Sequence, residues 1–165
     1  MVIAVAVGIG LAAMLFIQRM ANLTSTEAVR GSAAGLPRDL PPEIAAFRIR
    51  GPMFFGAAER ALATLHRLEP EVHTVILDMR DVPSMDMSAI VVFQSMVRQL
   101  QKKSIALIVT HAEARIIAKL RRAGIRRVSG QLTFCRSTEQ ALRVIRDWAS
   151  ESERNHQGPV DRGIP

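Results

Sequence analysis

With 165 residues, 48% of them hydrophobic, the chain has material for one core of ordinary size and little more. Aromatic residues make up only 4%, with no Tyr and a single Trp, so the core must be built from aliphatic side chains and eight Met; this excludes an aromatic-rich sandwich and suits α/β layers. The formal net charge is +7, and the lone Cys135 excludes an intrachain disulfide or a Cys-rich metal cage.

Residues 1–17, MVIAVAVGIGLAAMLFI, carry no charge and end at Gln18-Arg19. No basic residue precedes the run and no small-residue cleavage site follows it, so a signal peptide fits poorly. At about 1.5 Å per residue, a helix of 17 to 20 residues reaches roughly 26–30 Å, enough for the hydrocarbon core. The expectation is a transmembrane helix over 1–20, with a buried core helix as the alternative. All 22 basic residues follow the apolar run 1–17, beginning with Arg19 at its boundary, which places the remainder in the cytoplasm by the positive-inside tendency. Gly8, Gly10 and four Ala give this helix a small-residue surface suited to packing on other membrane helices. The chain is therefore expected to be the tail of a larger membrane domain.

Residues 21–44 combine Ser, Thr, Gly and three Pro without apolar periodicity and read as a linker. Strands are predicted at Ala46–Arg50 and Met53–Phe55. A helix follows from Gly56 to Leu68, with Ala58, Leu62, Leu65 and Leu68 on one face. Val72–Met79 is a strand apolar on both faces over its second half, hence central. After Asp86, the spacing of Ile90, Phe93, Val97 and Leu100 predicts a second helix. A strand at 104–110, a helix over 112–123 ended by Gly124, and a short strand at 132–134 complete the alternation. Ser137 opens a last helix carrying Ala141, Leu142, Ile145 and Trp148, with Gln140 placed for a capping box. The order implies a mixed, mostly parallel sheet covered by helices over 45–150, followed by a polar, disordered tail over 151–165.

The four His show no ligand spacing, so no metal is expected. Between Arg98 and Trp148 there are twelve basic and three acidic residues, a solvated face or a patch for phospholipid headgroups or an acidic protein. No aromatics are interleaved for base stacking, which excludes nucleic acid as the expected partner. Asp78, Asp81 and Asp86 crowd nine residues, yet no Gly-rich phosphate loop precedes them. Asp86 stands where an N-cap belongs, and Ser88 reads as a local helix-start residue. Cys135 reads as a buried thiol at a strand end, so no catalytic residue and no cofactor is expected.

The stretch from Val75 to Phe93 resembles the signature of the STAS domain, named for sulfate transporters and anti-sigma factor antagonists. Its elements here are Asp78-Met79-Arg80, Val82-Pro83 and the turn Asp86-Met87-Ser88-Ala89. The stretch Arg50 to Gly56 is similar to a G-P-L-F-F-x-N segment of STAS domains attached to sulfate permeases (SulP family). Phe134 to Leu142 resembles the family's last strand and helix, and residues 1–24 resemble the permease's last membrane helix.

The resemblance implies a STAS-like α/β fold and a cytoplasmic regulatory or assembly module of an anion transporter, held at the inner (cell) membrane. Its implied partners are the transporter's membrane domain and the lipid bilayer, with a homodimer or another protein partner left open. It also implies that Asp86, Met87 and Ser88 form a regulatory or interaction turn. In the family's soluble antagonists the first hydroxyl after the turn Asp accepts a phosphoryl group. That position is Met87 here, whose thioether cannot be phosphorylated, and Ala89 replaces the usual Gly. A signalling module of the anti-sigma antagonist kind is the alternative, with Ser88 as its acceptor.

Overall fold

The computed structural model describes residues 2–22, 25–28, 40–53, 59, 63, 68 and 70–156. Helix α1 (Val2–Asn22) comes first, and β1 (Ser25–Ala28) follows it after two residues. Next are β2 (Ile44–Arg50), β3 (Thr74–Asp81), α2 (Met87–Lys102) and β4 (Ala106–Thr110). The chain then forms α3 (Ala114–Arg122), β5 (Leu132–Cys135) and α4 (Thr138–His156).

The five strands lie side by side in chain order, β1 antiparallel to β2 and the other three pairings parallel. Alternation along each strand splits the side chains between two faces. Phe47, Ile49, Val75, Leu77, Leu107, Val109 and Leu132 share one core with Ile90, Phe93, Met96 and Leu100 of α2 and Ile116 and Leu120 of α3. On the other face Ala46, Ile76, Ile108 and Cys135 meet Ala141, Leu142, Ile145 and Trp148 of α4. Among the described residues, α2 and α3 thus cover one face and α4 the other, as short crossovers between sequential parallel strands require. Phe93, 1% exposed, sits mid-α2 and contributes about 2–3 kcal/mol of burial.

The helix ends follow from local chemistry. Gly124, at φ +84°, closes α3: its N–H reaches Arg121 O (3.0 Å) and the Ile125 N–H reaches Leu120 O (2.9 Å). The same pair of bonds closes α2, with Ser104 at φ +58° in the glycine position, so 104 ends a helix instead of starting the predicted strand. At α4 the Gln140 N–H donates to Ser137 Oγ (3.2 Å), while Gln140 Oε1 accepts from the Arg136 N–H (2.8 Å), one residue before the expected partner.

Three segments differ from the sequence reading. The stretch read as a linker contains β1, which pairs Ser25 with Arg50 through Ala28 with Phe47; four residues, Ser-Thr-Glu-Ala, are too few to show a period. Met53 makes only an isolated parallel bridge to Met85, and positions 54 and 55 lie outside the described residues. Helix α4 continues through 151–156, part of the segment read as a disordered tail, while 157–165 lie outside the described residues. Of the helix predicted over 56–68, Glu59, Ala63 and Leu68 are described; the first two are helical and Leu68 is not.

Every side chain of α1 described, Ile3 to Phe16, is exposed, including Ile3, Val5, Val7, Ile9, Leu11 and Phe16. The alternative of a buried core helix therefore does not hold for these residues. Among the described residues no helix is long and apolar enough to cross a membrane.

Candidate functional site

The turn between β3 and α2 is set by two anchors. Val82 and Met85 are buried at 0% and 1% exposure, and the Met53 N–H donates to Ser84 O (2.9 Å) while the Asp86 N–H donates to Met53 O (3.3 Å). The ammonium of Lys119 on α3 donates to Met85 O at 2.9 Å. The turn is thus stitched to the end of β2 on one side and to α3 on the other.

Asp86, in extended conformation, is the N-cap of α2: its Oδ1 accepts from the Ala89 N–H at 2.6 Å, satisfying a donor that the helix leaves unpaired. Ala89 is fully buried behind it. Met87 and Ser88, in contrast, are exposed, Met87 at 72%; Val91, one turn on, is 55% exposed. The structure therefore brings the three predicted residues together and divides their roles. Asp86 builds the turn, while Met87 and Ser88 present an apolar thioether and a hydroxyl to the surroundings.

A second cluster, which the sequence reading did not assemble, lies at the carboxyl ends of β2, β3 and β4. Asp78, 3% exposed, accepts at Oδ2 from Arg48 Nε (3.2 Å), Arg48 Nη2 (3.2 Å) and Arg80 Nε (2.8 Å). Its Oδ1 accepts from the Arg80 N–H (3.1 Å) and lies 3.2 Å from His111 Nδ1. Such a carboxylate is saturated with donors, and its chemistry is that of a structural hub. The available signal was Arg48, a charge at an inward position of the apolar strand AFRIR, and only strand register pairs it with Asp78.

Register continues the row: Arg48 is aligned with Asp78, Asp78 with Thr110, and Thr110 with Cys135. Thr110 is wholly buried and its Oγ1 has no partner among the described residues. Burial pushes the Cys135 thiol up from its ordinary value of 9.0, with the Arg127 guanidinium opposing, so this sulfur is held protonated. A protonated buried thiol is a poor nucleophile.

Residues 38–141 match the family described as STAS domain. The STAS domain of a SulP transporter from Vibrio cholerae is 28% identical, with a TM-score of 0.55, covering 73% of this chain and 91% of that one. SLC26A9 superimposes with a TM-score of 0.66 at 15% identity over 90% of this chain, which spans 28% of that protein. The unphosphorylated anti-sigma factor antagonist SpoIIAA gives a TM-score of 0.52 at 14% identity, covering 74% of this chain and 98% of that one. No curated protein matches the chain in sequence.

Proposed function

Since the chain belongs to the STAS domain family, we propose that it is the cytoplasmic STAS module of a SulP-type anion transporter, joined to that transporter's last membrane helix and acting in its regulation or assembly. The observation that carries this reading is α1, an apolar helix with exposed side chains set two residues ahead of the sheet's edge strand. Its described side chains, Ile3 to Phe16, carry no charge and are all exposed, and an exposed apolar rod needs lipid or other helices around it. The 28% identity to a SulP transporter STAS domain supports the same assignment.

The module has no part in chemical turnover on this reading. Asp86 is committed to the cap, Asp78 to its arginines, and Cys135 to the core. Met87, at the position where the family's antagonists carry a phosphorylatable hydroxyl, supports a constitutive interaction turn, with the transporter's membrane domain and the lipid bilayer around it as its partners. Ser88 favours the antagonist alternative in one respect, being an exposed hydroxyl at the helix start.

The test is alkaline carbonate extraction of membranes from cells expressing the full chain and a variant lacking residues 2–22. The full chain is expected to stay in the pellet and the variant to be released. Release of both would remove the membrane assignment, and kinase-dependent labelling of Ser88 would favour the antagonist reading.

A further inference from the structure

We propose that the outer face of the α2–α3 layer docks on anionic lipid headgroups of the bilayer to which α1 tethers the module; this rests on the membrane reading above. From Met87 to Thr138 the chain carries ten basic residues and a single acid, Glu113, which is paired with Arg115. Helix α4 on the opposite face is balanced, with four acidic and three basic residues, so the excess charge is one-sided. Arg98, Lys102, Arg121, Arg122 and Arg126 are all exposed, and none pairs with an acidic group among the described residues.

The elements that carry these cations adjoin. The side chain of Gln94 donates to Ala123 O, and that of Gln101 donates to Gln131 Oε1 (3.1 Å), which holds the second half of α2 against the loop that follows α3. On α2 itself, Met87, Val91, Arg98 and Lys102 fall within one helical stripe at 3.6 residues per turn. This stripe therefore runs from exposed apolar side chains to exposed cations with no acidic residue in it. Apolar side chains beside Lys and Arg are the chemistry of a membrane-interface surface, where the former enter the headgroup boundary and the latter meet phosphates. The face carries no exposed aromatic for stacking on bases, which disfavours nucleic acid. Tethering by α1, only two residues from the sheet, raises the local concentration of this face at the bilayer to about the millimolar range, so weak contacts suffice.

The experiment reconstitutes the full chain in phosphatidylcholine vesicles and in phosphatidylcholine–phosphatidylglycerol vesicles. An environment-sensitive dye is placed at Ala118→Cys, an exposed α3 position, in a Cys135→Ala background, and quenching by headgroup-labelled lipid is read. Quenching is expected only with the anionic lipid and is expected to disappear in high salt. The variant Arg98→Gln/Arg121→Gln/Arg122→Gln/Arg126→Gln removes four charges, each worth a factor of about five at an anionic surface, and should lower docking by roughly two to three orders of magnitude. Arg127 is left in place because it donates to Phe134 O (3.0 Å). Equal quenching in both vesicle types, an unchanged response in the folded variant, or binding of polyglutamate without any vesicle response would overturn the proposal. Should carbonate release the full chain, the tether fails separately, and co-sedimentation of the free chain with the two vesicle types then decides docking.

Discussion

Arg48 and Asp78 face each other across β2 and β3, 3.2 Å apart and both nearly excluded from solvent. Removing one partner strands a buried charge, so Asp78→Ala should cost about 3–5 kcal/mol in urea unfolding. Replacing both, as in Arg48→Met/Asp78→Leu, should cost much less than the single variant, although Arg80 and His111 also lose their acceptor. A single-variant loss below about 1 kcal/mol would be the behaviour of an exposed pair and would contradict the buried geometry.

Ser104 and Gly124 occupy the same left-handed position after α2 and α3 with opposite suitability. Ser104→Gly should raise stability by about 0.5–1 kcal/mol by removing the Cβ penalty. Gly124→Ala should lower it by about 1 kcal/mol; no atom lies within 4 Å of the added Cβ, so the whole loss is conformational. Thermal melts of the two variants moving in the same direction would refute this.

At the turn, Asp86→Ala should cost about 1 kcal/mol through loss of the cap. Met87→Ala and Ser88→Ala should stay within about 0.5 kcal/mol, since both side chains are exposed. Chemical denaturation measures all three. Any transport or assembly defect of Met87→Ala would then be an effect at the surface.

The row Thr110–Cys135 yields two further outcomes. Thr110→Val replaces an unpartnered buried hydroxyl with a methyl and should raise stability by about 1 kcal/mol in urea titrations. Cys135 is held protonated in the fold, so its contribution is complete below the ordinary thiol value of 9.0 and declines as pH rises above it, when the unfolded chain ionises first. The stability of the parent chain relative to Cys135→Ala should therefore fall above pH 9.0, by at most about 1.4 kcal/mol per pH unit. A flat difference would mean that the thiol ionises freely in the fold.

Which residues form strands and helices in the second half of the chain was legible because the signals there are strong and local: apolar runs for β3 and β4, 3.6-residue spacing for α2, Gly124 and Ser137 at helix ends. The Asp86 cap was legible for the same reason, since a cap acts over three residues. Strand β1 was not: Ser25–Ala28 has no apolar pattern, and its pairing with β2 is decided by a neighbour some twenty residues away. Nor was the Asp78 hub, because Arg48, Asp78 and His111 are brought together by strand register and not by spacing.

The sequence by itself determined the alternation of elements, the apolar head and the unreactive sulfur at position 87, all of which depend on side-chain identity and short-range periodicity. Only the tertiary structure decided which charges are buried and which are free. Solvent exclusion depends on what lies on the other side of each strand and helix, and the packing that holds Arg48 against Asp78 leaves Arg121 and Arg126 in water.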